Sequence, residues 1–111
     1  MSDPGAGDPL QDPMEEMKRY FAGRLPARIA EVEAARDAAR GAGWAGEPLR
    51  TFHRLAHSLA GAGATFGFPE VSDLAGRLEQ RLKKVLGGGE APAGDEVEDL
   101  LARLRAVTAR D

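Results

Sequence analysis

Two histidines, His53 and His57, stand four residues apart in the stretch Arg50-Thr51-Phe52-His53-Arg54-Leu55-Ala56-His57-Ser58-Leu59-Ala60-Gly61-Ala62-Gly63-Ala64-Thr65-Phe66-Gly67. The chain has no cysteine, so thiolate nucleophiles, disulfides and cysteine-based metal sites are excluded. An imidazole is largely neutral near pH 7, and its free nitrogen is then a good nucleophile. Such a nitrogen can attack a phosphoryl group in line if a partner supplies the electrophile and neutralises its charge. The chain has neither a Gly-rich nucleotide loop nor a clustered Asp pair for Mg2+, so it is not expected to make its own phosphate donor complex. Two histidines at this spacing could ligate a metal, but no acidic residue or third histidine accompanies them locally, and no metal site is expected.

Orientation separates the two histidines. A helix advances about 100° per residue. Leu49, Phe52, Ala56, Leu59, Gly63 and Phe66 recur at spacings of three and four and form a bundle-facing seam. The centre of that seam lies roughly 130–140° from His57, which therefore faces solvent. Its face neighbours are Arg50, His53, Arg54, Ala60, Gly61 and Ala64. The C-terminal neighbours are small and leave the ring accessible. Those on the N-terminal side are partly cationic and suit a phosphorylated imidazole or an acidic partner. His53 falls at the seam boundary as a flank or contact residue. Gly61 costs about 0.8–1 kcal/mol in a helix relative to Ala, and a close approach by a partner explains it. Gly63 faces the seam and suits close helix packing. By spacing alone, a solvated histidine on a structural helix fits His57 equally well. Arg77 and Glu79 read as surface charges unless their helix joins the docking face.

The other segments must position this helix. Residues 1–13, rich in Gly, Pro and Asp, read as a disordered tail, with a domain over 14–111. A short helix is expected near Met14, with Met14, Met17 and Phe21 on one face. Gly23 and Pro26 mark the passage to a second helix carrying Leu25, Ile29 and Val32, which stops at Arg40-Gly41-Ala42-Gly43. Trp44 in the following connection is expected to cover one bundle end. Pro48 suits the first turn of the histidine helix. Pro69 opens another, striped by Val71, Leu74, Leu78, Leu82 and Val85. After a Gly-rich loop, Asp95 and Glu98 have N-cap and N3 spacing ahead of Val97, Leu100, Leu101, Leu104 and Val107. With β-branched residues few, the expected fold class is all-α: an antiparallel four-helix bundle with a short additional N-terminal helix.

Composition narrows the function further. The 111 residues are 42% hydrophobic and 30% charged, with a formal net charge of -3. A chain of this size favours surface function over a deep pocket. No dense basic tract supports nucleic-acid binding. No segment approaches the roughly 20 apolar residues of a membrane span, and the N-terminus lacks a signal-peptide pattern. A cytoplasmic monomer is expected. A structural or dimerisation bundle would expose a second continuous apolar stripe, which the sequence lacks. A free-standing enzyme acting on small molecules is the least expected class, since only one credible nucleophile appears and no pocket chemistry surrounds it.

The run His57-Ser58-Leu59-Ala60-Gly61, continuing through Gly63, Thr65, Phe66 and Gly67, resembles the histidine-phosphotransfer (Hpt) domain family. The flanking Phe52-His53-Arg54-Leu55-Ala56, the later Leu74-Ala75-Gly76-Arg77-Leu78-Glu79 and the early Tyr20–Ile29 segment match the same texture. The resemblance runs from about Met14 to Arg110. It implies a phospho-accepting His57 on a four-helix bundle without autonomous kinase activity. It also implies exchange with the Asp of response-regulator receiver domains, including those of a hybrid sensor histidine kinase, with Mg2+ held by the receiver. The family's segment has lysine three residues after the histidine; here that position is Ala60. The phosphate-neutralising role then falls to Arg54 or Arg50, or transfer is slower or its partners differ. A phosphorylation-independent helical adaptor is the alternative that Ala60 motivates.

Overall fold

The computed structural model describes residues 13–109, which form four helices. These are α1 (Pro13–Gly41), α2 (Gly46–Thr65), α3 (Pro69–Leu86) and α4 (Glu96–Ala109). The expected N-terminal tail lies outside the described residues apart from Pro13, which opens α1. Each helix packs on its two neighbours in a ring, α1 against α2, α2 against α3, α3 against α4 and α4 against α1. Cross-helix pairs fix the antiparallel sense. Phe21 stacks on Phe66 with ring centroids 5.3 Å apart, and Arg28 reaches Ser58 farther along the same pair of helices.

The expected separate N-terminal helix is not observed; it is continuous with α1 through Gly23 and Pro26. Proline removes one backbone donor and crowds the carbonyl four residues earlier. Here it lies on the exposed face, while Phe21, Leu25, Ile29 and Val32 stay in phase and buried on both sides of it. Packing of that stripe outweighs the local cost of proline. The expected Met14, Met17 and Phe21 face is also split. Phe21 is buried, whereas Met14, Met17 and Tyr20 are exposed. Since Phe21 already lies against Phe66 at the end of α2, the earlier turns of α1 run past that helix. Only a small apolar patch at one end results.

The core follows the stripes expected from periodicity, except that Phe66, Leu100 and Val107 are only partly buried at its edge. Leu49, Phe52, Ala56 and Leu59 of α2 meet Val71, Leu74, Leu78 and Leu82 of α3, with Val97, Leu101 and Leu104 closing the side of α4. Trp44 packs at the end of this core, its ring 6.3 Å from that of Phe52. Glu98 does not act as the N3 member of a capping box; its two carboxylate oxygens accept from Arg36 and Arg40 of α1. Arg105 pairs with Glu33 farther along the same interface. Arg81 joins Glu96 and donates to the carbonyls of Glu90 and Ala91, tying the Gly-rich loop to α3.

Gly63 sets the α2–α3 spacing. A Cβ at that position would lie 2.9 Å from the backbone N of Ser72 and 3.2 Å from the carbonyl oxygen of Phe68. These are backbone atoms, so the helices would have to separate to admit a methyl group. Gly67, with φ +81°, makes the left-handed turn that returns the chain toward α3. Gly63→Ala should therefore destabilise the fold by about 1–3 kcal/mol, the usual cost of overpacking. Thermal unfolding followed by circular dichroism should show a midpoint lowered by at least about 4 °C.

Candidate functional site

His57 projects from the middle of α2 with its side chain 69% exposed, on the face the helical phase requires. Its Nδ1 is 2.6 Å from Oε2 of Glu79 on α3. Glu79 is only 17% exposed. A carboxylate accepts hydrogen bonds, so in the neutral ring this contact favours the tautomer with the proton on Nδ1 and the lone pair on Nε2. The ring is thus anchored at its inner nitrogen and open at its outer one.

The close contact at Gly63 produces this pairing. With Gly63 seated against Ser72, antiparallel helices bring His57 level with Glu79. Of the two readings open for Glu79, a surface charge or a member of the histidine face, the contact with His57 supports the second. Its signal was its position beside Leu78 and four residues after Ala75, on the flank of the α3 stripe that turns toward α2. Without the interhelical register, that position does not identify a partner.

The remaining expected neighbours divide in two. Arg50, Arg54, Gly61 and Ala64 are exposed. Arg50 pairs with Glu47, and Arg54 makes a 3.5 Å contact with the Thr51 hydroxyl. Neither guanidinium touches His57. Ala60 is half-buried against the core rather than fully on the histidine face. His53 is 25% exposed, with Nε2 buried and 3.9 Å from the same Glu79 oxygen. Among the described residues no group of three His, Asp or Glu side chains is arranged to hold a metal ion.

On the other flank of His57, Arg28 of α1 donates to the Ser58 hydroxyl at 2.9 Å and lies over the Phe21 ring at 5.6 Å. Sequence spacing within α2 could not reveal this cation, because it comes from another helix. An open groove of about 700 Å³ continues from Arg28 past Arg24, Phe66, Tyr20 and Met17.

A ring of four antiparallel helices is the fold the resemblance implied; the carboxylate at Nδ1 of His57 was not part of it. The family model described as Hpt domain matches residues 16–109. The chain belongs to the Hpt domain family. No curated protein and no solved structure matches the chain. As an Hpt domain it falls among proteins of histidine phosphotransfer in two-component phosphorelays, which interact with receiver domains and kinases. Among the described residues no helix of this Hpt domain is long and apolar enough to cross a membrane.

The two glycines of the Hpt segment differ in kind. Unlike at Gly63, a Cβ at Gly61 would meet nothing within 4 Å. Internal packing therefore gives no reason for glycine there, and Gly61→Ala should stabilise the domain by about 0.5–1 kcal/mol through helix propensity. Chemical denaturation of the two alanine variants checks this contrast: the unfolding midpoint should rise for Gly61→Ala and fall for Gly63→Ala.

Proposed function

We propose that His57 is a phosphorelay intermediate, taking a phosphoryl group from the phospho-aspartate of one receiver domain and passing it to another. The observation that carries this reading is the 2.6 Å contact between Nδ1 and Glu79 beneath an exposed ring. It leaves Nε2 as the nucleophile. As the Nε2 lone pair attacks phosphorus, the N–P bond forms and the bond from phosphorus to the aspartyl oxygen breaks. The bonding electrons leave with the receiver's carboxylate. The imidazole gains positive charge, which its Nδ1–H shares with Glu79. Attack on the phosphohistidine by an aspartate of a second receiver reverses these bond changes.

The receiver supplies Mg2+ for charge neutralisation in this scheme, and this chain contributes no kinase step of its own. Gly61 and Ala64 offer a low surface for the receiver next to the ring, with Arg50, His53 and Ala60 bordering it. Arg54 stands one turn before His57 on the exposed side and takes over the role of the lysine that Ala60 replaces. The domain acts as a cytoplasmic monomer, and a hybrid sensor histidine kinase is the upstream donor. Buried packing around Leu59 and Phe52 holds the ring level while leaving its outer edge to the partner.

The test is incubation of wild type and His57→Gln with phosphorylated receiver domains in the presence of Mg2+. Acid-labile, base-stable label on wild type and none on His57→Gln is the expected outcome. Binding of receivers without any label on wild type would instead favour the adaptor reading that Ala60 motivates. Arg54→Ala should slow transfer about 10- to 150-fold, the factor that one charge-assisted hydrogen bond contributes. Rapid-mixing phosphotransfer measures it, and an unchanged rate removes Arg54 from the phosphate environment.

A further inference from the structure

His53 occupies an unusual position relative to this site. Its Nε2 has no contact with solvent and no hydrogen-bond partner, yet it lies 3.9 Å from Oε2 of Glu79. That oxygen is the one bound to His57. A buried imidazole nitrogen without a partner is unfavourable in either protonation form. As a lone pair, Nε2 would repel the nearby carboxylate oxygen. As an N–H, it points a donor at an acceptor that a small side-chain rotation would bring into range. The electrostatics select the second form.

We propose that His53 is a positioning residue for phosphoryl transfer, donating from Nε2 to Glu79 and so holding the carboxylate against Nδ1 of His57. This deepens the reading of His57 as the phosphoryl acceptor and rests on it. The chain of contacts runs from a buried donor through a half-buried carboxylate to an exposed nucleophile. Lys83 is exposed one turn after Glu79 on α3, and a Glu with a Lys four residues on is the favourable order for an ion pair along a helix. A swing toward Lys83 would release Nδ1 and let the ring proton move to Nε2, where it blocks the nucleophile. The donor at His53 opposes that swing from the inner side.

The role differs from that of a packing residue, because it depends on a hydrogen-bond donor and not on volume. His53→Gln keeps an N–H donor near the position of Nε2, whereas His53→Leu keeps bulk and removes the donor. Both are compared with wild type in the full chain, with helix content checked by circular dichroism. Two readouts are taken: the tautomer of His57 from 15N-edited NMR of the ring, and the rate of label transfer from a phosphorylated receiver domain.

Wild type should hold the Nδ1–H tautomer of His57. His53→Leu should shift the population toward Nε2–H and slow transfer about 3- to 10-fold, the factor a net hydrogen bond is worth. His53→Gln should restore both. A folded His53→Leu protein with the wild-type tautomer overturns the proposal, as does a loss of rate shared equally by both variants with no change in tautomer. If wild type takes no phosphate from any receiver while its His57 tautomer still responds to His53→Leu and recovers in His53→Gln, the positioning chain stands and the phosphotransfer reading fails.

Discussion

The near contact of α2 and α3 at Gly63 is the constraint from which the site follows. A methyl group there would press on the backbone of Phe68 and Ser72, so the absence of a side chain sets how closely the helices approach. Their antiparallel register then brings Glu79 under His57. Leu59, Leu78 and Leu82, all buried, make that register unique, because sliding either helix would expose part of an apolar stripe. Apolar packing therefore aligns a polar pair at its rim, and this pair determines which ring nitrogen is available.

Exposure and anchoring serve opposite needs at His57. In the proposed relay a partner's active centre must reach the ring, which favours a helix surface with small neighbours. An exposed side chain would otherwise sample several rotamers and both neutral tautomers. The largely buried Glu79 restricts the ring without covering it. Sites built on a helix and supported from a neighbouring element are more exact than sites on loops, since packing fixes the supporting groups. The bundle gives this support without a pocket around the histidine, in keeping with a domain whose reaction partner is another protein.

Much of this was legible in the sequence because apolar periodicity reports directly on a helix's buried face. The stripes of α2, α3 and α4 appear in the core as read, and the exposure of His57 follows from its angle to the α2 seam. The division of α1 at Gly23 and Pro26 failed because local breaker signals were weighed above an apolar stripe that continues in phase through Ile29 and Val32. Met14 and Met17 failed differently: periodicity gives a helical face but not whether a neighbouring helix extends far enough to cover it. Glu79, Arg28 and the buried nitrogen of His53 depend on register between helices. Neither charge nor spacing within one helix specifies that. The Asp95 and Glu98 pair illustrates the same limit, since Glu98 meets arginines of α1 that lie far away in sequence.

Reaction of the anchored ring through its outer nitrogen is open to direct test. Phosphorus-31 and nitrogen-15 NMR of the full chain after reaction with a phosphorylated receiver domain would identify the bonded atom. The expected result is a phosphoramidate on Nε2 of His57, with the proton still on Nδ1. Phosphate on Nδ1 of His57, on His53 or on no histidine of the folded protein would contradict it.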